Sequence, residues 1–213
     1  MRKVYVVGGD RGIEKMFNEH PEFYTTEIFK DADLYCFTGG ADVSPELYGA
    51  KAHPTTGTNR DRDLRERREF EDIIQTGRPM VGICRGSQFL CVMNGGSLYQ
   101  DVDKHAIWGT HECFYENENM YVTNYQVTST HHQMQNPYTS KNDFEIWGTA
   151  QLCTYRDSEK VERKRLTHRD HADVEIVYWP ETKSLGFQGH PEYESKECRD
   201  LFFTCLERAL ARA

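Results

Sequence analysis

The stretch RPMVGICRGSQFLCVM, residues 78–93, carries an apolar run that stops at Gly82-Ile83-Cys84-Arg85-Gly86 and resumes with helical spacing. Pro79 opens the run, which reads as a short buried strand, and SQFLCVM then reads as a helix. A G-x-nucleophile-x-G turn between strand and helix lifts its central side chain above the end of a parallel sheet. Its glycines supply backbone angles and close approaches that a Cβ would block. The turn also sets Cys84 at a helix N-terminus, where the dipole favours a thiolate. Unpaired N–H groups in that first turn can receive a developing oxyanion. By itself the turn equally suits a structural cysteine.

Working outward, the same design recurs. KVYVV (3–7) ends on Gly8-Gly9, and DLYCFTGG (33–40) ends on Gly39-Gly40. Short apolar runs closed by glycine are how parallel strands look when both faces are covered. Between the second and third runs, residues 61–77 predict a charged helix with Leu64, Phe70, Ile73 and Ile74 as its apolar side and Gly77 as its stop. Strand, helix, strand in this order predicts a right-handed crossover and an α/β fold, a three-layer α/β/α sandwich on a mostly parallel central sheet. Beyond residue 102, the segments 120–130, 144–155 and 174–180 are rich in Val, Ile, Tyr, Trp and Thr and predict antiparallel or mixed strands. Residues 156–171 have almost no core side chains and read as a solvated hairpin tip or loop. SKECRDLFFTCLERALARA (195–213) predicts an amphipathic helix burying Cys198, Leu201, Phe202, Cys205 and Leu206. No repeat or linker divides the chain, so one domain over 1–213 is expected.

Composition narrows the function. A formal charge of −8 argues against nucleic acid, whose phosphates call for surplus Lys and Arg on one face. No apolar run reaches membrane-spanning length, and the N-terminal run is too short for a signal peptide, so a cytoplasmic location is expected. Seven cysteines, an odd number without C-x-x-C pairs, predict reduced, mostly buried thiols rather than a disulfide scaffold.

A thiolate nucleophile needs a base, and FQGHPEY (187–193) offers one. Pro191 biases His190 toward extended backbone, in which residues two apart share a side. Glu192 can then hold the His190 ring in its working tautomer, the logic of a nucleophile–base–orienter set.

Taken together, GGADVSPELYG (39–49), GICRGSQFLCVMNGGSLYQD (82–101), TSTHHQM (128–134) and GFQGHPEY (186–193) make the chain resemble the class I glutamine amidotransferase-like family. The γ-glutamyl-γ-aminobutyrate hydrolase and γ-glutamyl hydrolase branch is the part it resembles most. The resemblance implies a flavodoxin-like fold and cysteine-dependent cleavage of a γ-glutamyl amide through a thioester on Cys84. His190 would be the base and acid, and Glu192 its orienter. Backbone N–H groups of Arg85 and Gly40 would form the oxyanion hole. Gln88 and the segment Ser129, Thr130, His131 would grip the glutamyl group, with His132 and the 39–49 loop on the pocket wall. The implied partners are a small γ-glutamyl substrate or glutamine, a second copy as a homodimer, or a synthetase receiving ammonia. A non-catalytic regulatory module is a further alternative, against which the intact Cys84, His190 and Glu192 weigh.

Four positions depart from the family pattern: Ser87, Cys91, Thr128 and Gly189 stand where a large apolar residue, Asn, Asn and an aromatic are common. They alter pocket shape and remove no catalytic group. No cofactor is expected. No metal is expected either, since His131-His132, His168 with His171, and His105, His111 with Cys113 match no ligand spacing. Gly8-Gly9-Asp10-Arg11-Gly12 lacks G-x-G-x-x-G spacing and reads as a sharp turn. RDRDLRERRE nearly balances its charges and reads as a solvated helix face, with packing near the pocket as the other role open to it.

Overall fold

The computed structural model describes residues 1–150 and 173–213. The apolar runs become β1 (Arg2–Val7), β3 (Leu34–Phe37) and β4 (Met80–Ile83), which lie side by side and parallel. β2 (Phe23–Thr25) flanks β1, and β11 (Ser184–Phe187) flanks β4, both parallel. Beyond β11 the sheet continues antiparallel through β10 (Val174–Trp179), β9 (Glu145–Ala150), β6 (Ala106–Glu116) and β7 (Val122–Thr130). The order is β2-β1-β3-β4-β11-β10-β9-β6-β7, and of these nine strands β10 and β6 run against the other seven. A separate antiparallel pair joins β5 (Ser97–Tyr99) to β8 (Met134–Asn136).

Strand alternation divides the core between two faces. Val4, Val6, Leu34, Cys36, Val81 and Ile83 meet α1 (Arg11–Glu19) and α4 (Lys196–Ala211) through Ile13, Phe17, Leu201 and Phe202. Val7, Tyr35, Phe37 and Met80 meet α2 (Arg60–Thr76) and α3 (Arg85–Met93) through Phe70, Ile73, Phe89 and Leu90. This is the expected three-layer arrangement. The C-terminal helix buries Cys198 and Cys205 as expected. The six cysteines of the described region are all free and buried. Cys153, residues 151–155 of the third expected strand, His168, His171 and the 156–171 loop lie outside the described residues.

Two sequence expectations need correction. The Gly8-Gly9 turn is followed directly by α1, whose first N–H groups are capped by Asp10 Oδ1 at 2.9 Å and 3.0 Å. The 61–77 helix does not turn Leu64 inward. Leu64 is 40% exposed, while Asp63 and Glu66 are buried at 1% and 0%. The physical reason is Arg85, itself buried, whose guanidinium pairs with both carboxylates. Buried charge is retained where it is paired and hydrogen-bonded, and here it displaces an aliphatic side chain from the helix's inner face. Among the described residues no helix is long and apolar enough to cross a membrane.

Candidate active site

β3, β4 and β11 are neighbours in the sheet, and the chain leaves their C-terminal ends at Gly39-Gly40, Cys84 and His190 respectively. Ligands of open α/β sheets bind in the crevice beyond such strand ends. Cys84 sits at φ 52° and ψ −110° as it passes from β4 into α3. A side chain rarely adopts this conformation, and the surroundings impose it. Cys84 N donates to Phe187 O at 2.9 Å, and Gln88 N donates to Cys84 O at 3.2 Å. The elbow's glycines are sterically required, because a Cβ on Gly82 would lie 2.3 Å from Gly86 O and one on Gly86 would lie 2.1 Å from Phe37 O. Cys84 keeps 8% of its surface exposed, facing a cavity of about 450 Å³.

The His190 imidazole lines the same cavity as the Cys84 thiol. Its Nδ1 lies 2.6 Å from Glu192 Oε1. Burial by itself pulls the imidazole pKa down, but the hydrogen bonds and charges of Cys84 and Glu192 outweigh it and raise the group to about 11. A positively charged imidazole is the partner a thiolate requires. Tyr193 stacks on it, with ring centroids 4.5 Å apart and planes 6° from parallel. β7 lies four places from β11 in the sheet, yet it returns to the site. Thr128 Oγ1 accepts from His190 N and donates to His190 O, both at 2.8 Å.

A buried ionic chain braces the opposite wall. Arg62 donates to Gly39 O at 2.8 Å, to Thr38 O at 3.0 Å and to Glu66 Oε1 at 2.6 Å. Glu66 and Asp63 both bind Arg85. The other oxygen of Asp63 accepts from Ser44 N at 3.0 Å and from Ser44 Oγ at 2.5 Å. The backbone before and after Gly40 is thereby tied to Arg85, the first residue of α3. Gly40 itself sits at φ 129°, with Arg62 filling the space a Cβ would need.

Of the candidate substrate contacts, Gln88, Thr130, His131 and His132 line the cavity, together with Gly40 and Arg85. Gln88 Nε2 donates to Gln133 O at 2.9 Å. Ser129 lies behind the wall, fully buried, its hydroxyl donating to His105 O. His132 pairs with Asp42 at 3.2 Å, and that hydrogen bond raises its pKa against the opposing effect of burial. Asp42 brings the expected 39–49 loop to the wall, and Thr55, Gly57, Gln133 and Tyr193 line it as well, with no signal in the sequence. Among the departures, Ser87 donates to Gln135 Oε1 at 2.7 Å. Gly189 is held small by Thr128 O, 3.1 Å from where its Cβ would be, and by Phe187 and Cys198 around it.

A cysteine on a strained elbow, a histidine against it, a carboxylate behind the histidine and N–H groups at a helix terminus form a constellation suited to acyl transfer. The architecture around it is that of class I glutamine amidotransferase-like proteins. A glutamine amidotransferase of Thermotoga maritima superposes with a TM-score of 0.61 at 16% identity, covering 97% of this chain and 84% of that one. PurLQS of Thermotoga maritima gives a TM-score of 0.62 at 15% identity over 98% and 99% of the two chains. The chain belongs to the Peptidase C26 family, which it matches over residues 7–192, and the γ-glutamyl hydrolase branch fits that family. Among curated relatives, the protein provisionally named glutamine amidotransferase-like protein YvdE of Lactococcus lactis subsp. lactis is 36% identical over 176 residues. That match covers 75% of this chain and 66% of the relative. Its homologue in Lactococcus lactis subsp. cremoris is 37% identical over 118 residues, 48% of this chain and 63% of the relative. The matched stretches thus span just under two thirds of these relatives' lengths.

Proposed function

We propose that the chain hydrolyses a γ-glutamyl amide bond through a γ-glutamyl thioester on Cys84, with residues 1–213 acting as one catalytic domain. The observation that carries this reading is Cys84 and His190 side by side on the cavity, with Glu192 Oε1 2.6 Å behind the His190 ring. Cys84 Sγ attacks the γ-carbonyl carbon, and the carbonyl oxygen becomes an oxyanion received by the N–H groups of Gly40 and Arg85. The C–N bond breaks as the His190 imidazolium gives its proton to the leaving amine. Water then attacks the thioester while neutral His190 takes its proton, and the thiolate leaves as the second tetrahedral intermediate collapses to glutamate. Glu192 keeps the proton-bearing ring aligned throughout. Gln88, Thr130, His131 and His132 hold the glutamyl end, with Ser129 supporting the backbone behind them.

The test is a panel of γ-glutamyl amides and free glutamine, with ammonia and amine release measured separately for the wild type and Cys84→Ala. Wild-type amine release that Cys84→Ala abolishes supports the proposal, and turnover by Cys84→Ala overturns it. A second reading, a glutaminase component that delivers ammonia to a synthetase partner, is favoured by Trp108. It is 83% exposed at an irregularity in β6 opposite Ser129–Thr130, next to the pocket wall. Ammonia release that appears only with a partner present would select that reading.

A further inference from the structure

The structure brings together a group scattered along the chain: His105, His111 on β6, His131 at the end of β7 and Glu175 on β10. One donor atom from each lies within 4.8 Å of all the others. We propose that these four side chains form a closed, tetrahedral site for one divalent transition-metal ion of the zinc class, which fixes the wall of the candidate active-site cavity.

The outward-facing nitrogens of the three rings are already engaged. His105 Nε2 lies 3.1 Å from Asp173 Oδ2, His111 Nδ1 lies 3.0 Å from Glu112 O, and His131 Nδ1 lies 2.9 Å from Gln133 O. All three acceptors are carbonyl or carboxylate oxygens, so each ring proton sits on the outward nitrogen. The inward nitrogens of His111 and His131 are left with lone pairs. Metal-bound histidines are held in this way, with the second nitrogen donating to a carboxylate or backbone carbonyl.

The inward atoms of His111, His131 and Glu175 lack a hydrogen-bond partner among the described residues. They are His111 Nε2, His131 Nε2 and both Glu175 carboxylate oxygens. Glu175 is 1% exposed and His131 4% exposed. Lone pairs and a carboxylate converging in a buried space repel one another, and a cation between them relieves that repulsion. Two of the separations match coordination better than hydrogen bonding. Glu175 Oε1 stands 3.4 Å from His105 Nδ1 and 3.3 Å from His111 Nε2. Donors about 2.0–2.1 Å from a tetrahedral zinc ion are separated by roughly 3.3–3.4 Å. Cys113, close to two of these histidines in sequence, packs in the hydrocarbon core instead. Four protein ligands leave no open position, so the site is structural. It ties β6, β7 and β10 behind His131, which lines the cavity.

The test is native mass spectrometry of the full chain, stripped with chelator and titrated with Zn²⁺, and visible spectroscopy with Co²⁺. One Zn²⁺ per chain is expected, with four-coordinate Co²⁺ absorption lacking a thiolate charge-transfer band. Glu175→Gln and His111→Ala should each weaken binding at least about 100-fold, and Asp173→Asn about 10- to 100-fold. His111 is the most exposed ligand, so its variant remains informative if Glu175→Gln does not fold. Absence of a stoichiometric adduct in the wild type would overturn the proposal, and protons shared between histidine and carboxylate would then hold the cluster. A thiolate band, or an affinity unchanged in both ligand variants, would equally overturn it.

Discussion

The Thr128 hydroxyl closes both backbone polar groups of His190 at once, accepting from its N–H and donating to its C=O at 2.8 Å each. These bonds fix the imidazole's position from behind, at a residue where the family pattern has another side chain. Thr128→Val keeps the shape and leaves the buried His190 N–H unpaired, while His190 O keeps the Tyr193 N–H at 3.3 Å. A stability loss of about 1–3 kcal/mol is expected. A fall in kcat of about 10- to 100-fold with little change in KM should accompany it, as misplacement of a reacting group by a fraction of an ångström to an ångström produces. Thr128→Ser should recover most of both. Steady-state kinetics and thermal melts of the two variants check this.

The position of the His190 pKa sets the pH response. Because its pKa is raised from 6.5 to about 11 in the folded chain, the stabilisation it brings is complete below pH 6.5 and is lost as pH rises toward 11. Melting temperature should therefore fall through the alkaline range. Glu192→Gln removes one of the charges holding the imidazolium. The alkaline limb of kcat/KM should move down by about one to three pH units, and the alkaline fall in melting temperature should shrink. A pH–rate profile identical to the wild type's would count against the assigned pairing.

Arg85 is answered by two buried carboxylates, Asp63 and Glu66. Arg85→Met leaves charge buried without its partner, and a loss of about 3–5 kcal/mol is expected. Arg67→Met, on the helix that carries those two carboxylates, breaks only an exposed pair with Glu71 and should cost under about 1 kcal/mol. Urea unfolding of the two variants side by side measures the contrast.

Cys84 occupies backbone angles that favour glycine. Cys84→Gly should be more stable than Cys84→Ala by about 1–2 kcal/mol, because only the former relieves the positive φ. Both should be inactive, and 6-diazo-5-oxo-norleucine should label the wild type alone. Calorimetry and intact-mass measurements decide both points.

The parallel strands and the elbow were legible because their signals are local: apolar runs closed by glycine, and glycines flanking one thiol. α1 has no clear start in the sequence although Ile13, Met16 and Phe17 keep helical spacing behind the Asp10 cap, since the glycine turn before it masks that start. The inner face of α2 was misread because Leu64 outranks Asp63 and Glu66 on any hydropathy scale, and only Arg85, about twenty positions on, reverses that order. The sequence offers His105 with His111 and His131 with His132 only as separate groups, and it gives no sign of Glu175. The members of the cluster meet through strand pairing across β6, β7, β9 and β10.

The registry of β4 with β11, where Ile83 faces Phe187, joins two segments about a hundred positions apart into one rigid ledge. The stretch of chain between them loops away and supplies much of the cavity wall. Variation there can reshape what the cavity admits while the sulfur and imidazole stay in register, so selectivity and reactivity can evolve on separate parts of one fold.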